Sequence, residues 1–184
     1  MGKLVLWNIV TLDGRFEGAR PWDLPWHEHV WGEELERFSI EQLRSADALV
    51  FGRVTFEGMA AYWRSAAGEV AEHMNRLPKV VCSRTLESVD WGDSRVVGDD
   101  AVGAVRDLKR SCERDVLVFG SADLSASLID AGLFDEYRLG VAPVVHGEGR
   151  PLFASRHQPL ALALLDVRAL STGCVILTYR PAGA

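Results

Sequence analysis

The chain has 184 residues, 48% of them hydrophobic, with 26 Asp and Glu against 20 Lys and Arg, a formal net charge of -6 and a pI near 5.4. That length and apolar content suit one substantial core, so a single domain over residues 1–184 is expected. The acidic balance argues against a nucleic-acid binder, which presents clustered lysines and arginines to phosphates.

No segment approaches the roughly 20 apolar residues of a membrane span, and residues 1–7 lack the pattern of a signal peptide. Cys82, Cys112 and Cys174 are far apart and outside any CxxC pair, which suggests neither a disulfide framework nor a structural zinc site. A cytoplasmic protein is expected, with no membrane and no nucleic-acid partner.

Residues 4–10 read as a buried strand closed by Thr11-Leu12-Asp13-Gly14, where Asp-Gly supplies turn chemistry. Residues 16–31 are less regular and hold Trp22, Trp26, His27 and Trp31. Residues 33–46 have helical spacing through Leu35, Phe38 and Leu43, with Ser39 and Gln42 placed to cap a second, shorter helix. Residues 48–51 predict a strand, 55–63 and 70–77 predict helices, and 79–82 predict a short strand running into Ser83-Arg84. Val102, Val105 and Leu108 share one face of a helix over 100–111; 116–119 is a strand entering Gly120-Ser121, and 124–131 is a helix stopped by Gly132. Strands alternating with helices imply a largely parallel sheet covered on both faces. Residues 136–145, 161–169 and 174–180 are strand-like, and the last two predict an antiparallel hairpin joined to the edge of the same sheet.

Ligands of open α/β sheets sit beyond the carboxyl ends of strands, which singles out 11–14, 52–55, 83–84 and 120–121. Gly52 lets a ligand approach the backbone, the helix that follows offers unpaired N–H groups, and Arg53 adds a planar cationic fork; together they favour a nucleotide. Ser83-Arg84 suits a monophosphate, and Gly120-Ser121-Ala122-Asp123-Leu124 a pyrophosphate at a helix start. Each has a plainer reading as turn chemistry, a solvated charge or a helix cap. There is no GxGxxG after the first strand and no GxxxxGK[ST], which counts against a Rossmann dinucleotide fold and a P-loop. His27-Glu28-His29 lacks further ligands and is not read as a metal site.

These segments, with Phe119-Gly120-Ser121, Leu133-Phe134-Asp135-Glu136 and the run from Pro143 through Gly147-Glu148-Gly149-Arg150-Pro151-Leu152-Phe153, resemble in order and spacing the reductase domain of bacterial riboflavin-biosynthesis deaminase-reductases. That domain belongs to the dihydrofolate reductase superfamily, and the match covers nearly the whole chain. The resemblance implies a three-layer α/β/α fold with a mixed, largely parallel sheet, NADPH as cofactor, and a homodimer built on the closing strands. It implies that Arg53 and Thr55 meet the adenosine phosphate and pyrophosphate, and Ser83 and Arg84 the 2′-phosphate. Gly120, Ser121, Ala122 and Leu124 then meet the pyrophosphate, with Asn8, Thr11, Asp13 and Gly14 near the nicotinamide. No H-x-E with a later P-C-x-x-C is present, so the deaminase half is missing, and the glycine-rich turn before the pyrophosphate helix is reduced to Gly120-Ser121-Ala122.

Hydride transfer calls for a positioned electrophilic carbon and often a proton donor. Candidate donors are Asp13, Asp23 and Glu28, with His27 in the same aromatic segment. Trp22, Trp26 and Trp31 offer flat walls for a conjugated ring, or cover the core or a dimer contact. The expectation is an NADPH-dependent reductase of a small pteridine- or pyrimidine-like heterocycle. Its alternatives are a non-catalytic NADP(H)-binding module and a true dihydrofolate reductase.

Overall fold

A computed structural model describes residues 2–153 and 159–183. Eight strands form one sheet: β1 (Leu4–Thr11), β3 (Ala46–Gly52), β4 (Lys79–Cys82), β5 (Ser94–Val97), β6 (Asp115–Phe119), β7 (Glu136–Ala142), β9 (Leu162–Ala169) and β10 (Val175–Pro181), in the order β5-β4-β3-β6-β1-β7-β10-β9. The first six in that order are parallel, and β10 turns the direction by pairing antiparallel with β7 and with β9. The expected hairpin therefore closes one edge of the same sheet. A two-stranded ribbon of β2 (Arg15–Glu17) and β8 (Arg150–Pro151) stands apart from it.

The central strands are apolar throughout because both faces are covered. Leu4 and Leu6, Ala48 and Val50, and Val116 and Val118 pack on one side with Val105 of α5 (Ala101–Ser111) and Leu128 and Ile129 of α6 (Ala122–Asp130). Their alternates Val5, Leu49, Phe51 and Leu117 pack on the other with Phe56 and Ala60 of α3 (Arg53–Trp63), Val70 and Met74 of α4 (Glu69–Arg76), and Leu43 of α2 (Glu33–Arg44). A third cluster joins Trp7 and Ile176 to Trp26 and Val30 of α1 (Pro25–Val30) and to Leu35 and Phe38. Period-two alternation thus feeds two helical layers from the same strands.

Several sequence expectations change. Residues 16–31 contain β2 and α1, and residues 94–97 form β5, an edge strand whose half-exposed Ser-Arg-Val-Val lacks the apolar run of its neighbours. Ser39 does not start a second helix; its hydroxyl donates to the Leu35 carbonyl at 2.8 Å inside one continuous α2. The strand from Glu136 ends at Ala142. Gly132 does stop α6, at φ 62, with Leu133 N–H donating to Leu128 and Gly132 N–H to Ile129 in the paired pattern of a left-handed helix end.

From β1 the chain moves past the place later filled by β6 to lay down β3, β4 and β5 outward, then returns. The carboxyl ends of β1, β3 and β6 therefore meet where the strand order reverses, the place where such sheets bind ligands.

Candidate functional site

Two cavities open at that edge. The larger is a groove of about 610 Å³ lined by Gly52, Arg53, Val54 and Thr55 after β3, Cys82 to Thr85 after β4, and Ser121 to Leu124 after β6. Gly98, Asp99, Ala101, Ser127 and Arg150 complete it, with Phe16 and Glu17 from the ribbon. Helices α3 and α6 both start here, so their first N–H groups, which have no intrahelical partner, carry the positive ends of two helix dipoles to one place. Arg84 is exposed and forms no ion pair among the described residues. Arg53 leans on Glu57 at 3.1 Å, and Arg150 on Asp123 at 2.6 Å. The Ser83 hydroxyl accepts the N–H groups of Thr85 and Leu86 at 3.2 and 3.1 Å, shaping the turn that presents Arg84.

The junction of the three strand ends is tied by backbone and hydroxyls. Ser121 Oγ donates to the Phe119 carbonyl and accepts from Gly52 N–H, both at 2.8 Å; Ser121 N–H donates to Thr55 Oγ1 at 3.0 Å; Gly120 N–H donates to Asn8 Oδ1 at 2.9 Å. These bonds hold Gly120 and Ser121 at φ 52 and 57, an unfavourable left-handed pair that costs about 1–3 kcal/mol at the serine. A Cβ on Gly120 would lie 2.9 Å from the Thr55 side chain, so glycine is required there. Gly52 differs from expectation: its φ is -78, and its N–H is taken by Ser121.

The second cavity is a slot of about 130 Å³ that shares Phe16, Glu17 and Thr55 with the groove and has Asn8 and Gly120 in its wall. Its walls come from β1 (Trp7, Ile9), the segment after β2 (Trp22, Leu24, His27, Trp31), α2 (Ser39, Gln42, Leu43), α3 (Met59, Trp63) and α4 (Val70, Met74). Trp22 sits at φ 66, its N–H donating to Glu17 Oε1 at 2.6 Å. Its ring lies over Gly58, where a Cβ would fall 2.4 Å from the indole. Among the described residues, Asn8 Nδ2 and His27 Nε2 are buried without a hydrogen-bond partner, a situation costing about 1–3 kcal/mol each unless a ligand or water relieves it. Burial pushes the His27 imidazole down to about 4, so it is neutral at physiological pH.

The sequence-derived candidates divide accordingly. Gly52, Arg53, Thr55, Ser83, Arg84, Ser121, Ala122 and Leu124 line the groove, while Asn8, Gly120 and Trp22 line the slot. Thr11 and Gly14 line neither, because their turn is pinned to the far loop: Thr11 Oγ1 donates to Asp13 at 2.7 Å and accepts Arg15 N–H, and the Gly14 carbonyl accepts Leu152 N–H. Asp13 also stands outside both cavities. The Thr11 hydroxyl and the His146 and Gly147 N–H groups hold its carboxyl well below the usual carboxylate range, the opposite of a proton donor. Asp23 lies against Gly18, and Glu28 is exposed on α1. Trp26 is 1% exposed in the core, its ring 5.1 Å from that of His146, and forms no wall of either cavity. Glu17 was missed, and its only sequence signal is a short polar–apolar alternation. Thr55, Met59 and Trp63 recur at i, i+4 and i+8, and that spacing reads as core.

A mixed sheet whose closing edge is antiparallel gives the chain an α/β fold of the dihydrofolate reductase kind, with a groove at its switch point and a slot beside it. The chain belongs to the RibD C-terminal domain family, whose pattern matches residues 2–176. It is 29% identical over 182 residues to the uncharacterized protein YyaP of Bacillus subtilis, covering 96% of this chain and 94% of that one. Among solved structures it superposes on a putative riboflavin biosynthesis protein of Shewanella sp. PV-4 at TM-score 0.81 and 20% identity, over 98% and 99% of the two chains. It also superposes at 0.73 and 18% on 57% of a diaminohydroxyphosphoribosylaminopyrimidine deaminase/5-amino-6-(5-phosphoribosylamino)uracil reductase from Thermotoga maritima, covering 98% of this chain. Enterococcus faecalis dihydrofolate reductase, complexed with NADP(H), shares the fold at 0.62 and 18%, over 98% and 96% of the chains. Among the described residues no helix is long and apolar enough to cross a membrane, and no three potential metal ligands cluster.

Proposed function

We propose that this protein is an NADPH-dependent reductase of a small conjugated heterocycle, pteridine- or pyrimidine-like. The observation that carries this reading is the junction itself: a long groove fit for a phosphorylated nucleotide runs into an aromatic slot across Phe16, Glu17 and Thr55. The groove fits the cofactor by its chemistry, with two helix starts for a pyrophosphate and the Arg84 guanidinium, in no ion pair among the described residues, for a 2′-phosphate. Arg53, Thr55, Ser83, Arg84, Ser121, Ala122 and Leu124 would hold it, and Gly120 would allow its reactive end past Asn8. Bound NADPH supplies a hydride. This chain's residues would orient the heterocycle among Trp22, Phe16 and Phe119 of the slot lining, exclude water with apolar walls, and offer Asn8 Nδ2 as a fixed donor.

A homodimer suits this reading, since the edge strand β9 leaves Leu164, Leu165 and Val167 about half exposed. A second reading, a non-catalytic NADP(H)-binding module, is favoured by one observation: neither the slot nor the groove contains Asp13, Asp23 or Glu28, and His27 is neutral. Titration with NADPH and NADH tests the cofactor assignment. Clear preference for NADPH is expected, lost on Arg84→Ala with about a tenfold weakening of NADPH and little change for NADH. Equal binding of the two nucleotides by the parent protein defeats the proposal. Steady NADPH oxidation over a panel of pteridines, flavins and aminouracils separates the reductase from the silent module.

A further inference from the structure

The two cavities divide charge unequally. Arg53, Arg84 and Arg150 all belong to the groove, whereas among the described residues lining the slot there is no lysine and no arginine. Among the described residues the one Asp, Glu, Lys or Arg in the slot lining is Glu17, 7% exposed and paired with no lysine or arginine. Its Oε1 is committed to the Trp22 N–H at 2.6 Å, so the carboxylate is fixed where slot and groove meet. The remaining polar groups in the wall are uncharged: the orphaned Asn8 amide, the neutral His27 ring, and the Ser39, Gln42 and Thr55 side chains.

A phosphate placed in that slot would leave water for apolar walls, meet no cation, and face a carboxylate. A neutral ring loses none of this and gains partners for two buried polar atoms. Once NADPH fills the groove, its arginines and helix starts are engaged, and a phosphate carried by the substrate has no second anchor.

We propose that Glu17 makes this slot selective for an unphosphorylated, uncharged planar heterocycle, in contrast to the phosphoribosyl substrate named for the Thermotoga enzyme. The inference deepens the reductase reading and rests on it for the identity of the groove's occupant. The ligand edge is defined by the same residues: an acceptor toward Asn8 Nδ2, and a polar group toward His27 Nε2. Glu17 is a specificity-determining residue here and has no assigned role in the hydride step.

The experiment follows tryptophan fluorescence of NADP+-saturated protein titrated with two matched pairs, neopterin and neopterin 3′-monophosphate, and uridine and uridine 5′-monophosphate. Saturation with NADP+ closes the groove's arginines to the phosphates, and Trp22→Phe identifies the part of the quenching that comes from the slot. At least one unphosphorylated member is expected to bind about tenfold more tightly than its phosphate, and Glu17→Gln, which keeps the acceptor for Trp22, to narrow that ratio severalfold. Equal or tighter binding of the phosphates, a ratio unmoved by Glu17→Gln, or no slot quenching by any of the four overturns the proposal. Failure of NADP+ to bind at all is read separately, in the first titration, and overturns the reductase reading instead.

Discussion

The two ends of the central strands are built on opposite principles. At the amino ends charges are matched: Arg138 reaches Glu136 at 2.6 Å and Asp115 at 3.3 Å, Lys3 meets Glu136 at 2.7 Å, Arg114 meets Asp47 at 2.7 Å, and Lys109 meets Asp135 at 2.6 Å. At the carboxyl ends the groove keeps the exposed pairs Arg53–Glu57 and Arg150–Asp123, but more is left open. Among the described residues, Asn8 Nδ2 and His27 Nε2 are buried without partners and Arg84 is unpaired; two helix starts stand open, and Trp22 and Ser121 take left-handed backbone. One end is satisfied and the other is left wanting, which is how a fold separates the groups that keep it together from those that bind.

The harshest way to break this contrast is to injure the satisfied end. Arg138 is 13% exposed and touches Glu136, Asp115 and Gln42, so Arg138→Met leaves the nearly buried Glu136 carboxylate with Lys3 alone and should cost about 2–3 kcal/mol in denaturant unfolding. Nucleotide affinity of the folded variant should be unchanged. A cofactor defect at constant stability would show that the two ends are not independent.

Gly120→Ala comes next, because it strikes the junction. The left-handed φ and the 2.9 Å approach to Thr55 predict a loss of about 2 kcal/mol. Here stability and nucleotide binding should fall together, since moving Thr55 releases the Ser121 N–H and shifts the start of α6. Gly58→Ala is milder and more selective. It pushes the Trp22 indole off its seat, and because that side chain is 37% exposed it yields outward, so stability should change by less than about 1 kcal/mol. Binding of a heterocycle in the slot should weaken severalfold while NADPH affinity stays, and simultaneous loss of both would dissolve the distinction between groove and slot.

The groove was legible in the sequence because each wall is a short local signal: an apolar strand followed at once by Gly52-Arg53, Ser83-Arg84 or Gly120-Ser121. Parallel topology then forces those signals to one edge. The slot was not legible, because it is assembled from side chains as far apart as Trp7, Glu17 and Met74, and each alone looks like core. Trp22 and Trp26 show the limit well. Both read as possible ligand walls, yet four residues, from a left-handed turn position into the first turn of α1, separate a half-open cover from a 1% exposed core residue. Asp13 shows another: an acid beside a strand end invites a catalytic reading, while three hydrogen bonds make it the clasp of a turn. Nothing in local sequence distinguishes those fates, because the N–H groups of His146 and Gly147 arrive from the other end of the chain.

The last prediction is read against pH and concerns the start of β4, where Lys79 forms no ion pair among the described residues. Lys79 is 1% exposed, its ammonium donates to the Leu77 and Asn75 carbonyls at 2.7 and 3.2 Å, and it lies 4.5 Å from the centre of the Trp91 ring. Burial pushes its pKa down to about 8, against an ordinary value of 10.5, with only partial compensation from Asp93. Between those values the unfolded chain holds the proton and the folded one has released it, so the unfolded state binds more protons and stability rises with pH across that window. The half-buried Cys82 and buried Cys174 thiols, raised to about 11 by desolvation, act in the opposite sense above about pH 9, because the folded state keeps a proton that the unfolded state loses. Those thiols are common to the parent and to Lys79→Met, so the difference between the two stability–pH curves isolates the lysine. The parent should gain on the variant from pH 8 to 10.5, and parallel curves would place Lys79 with the satisfied charges of that end after all.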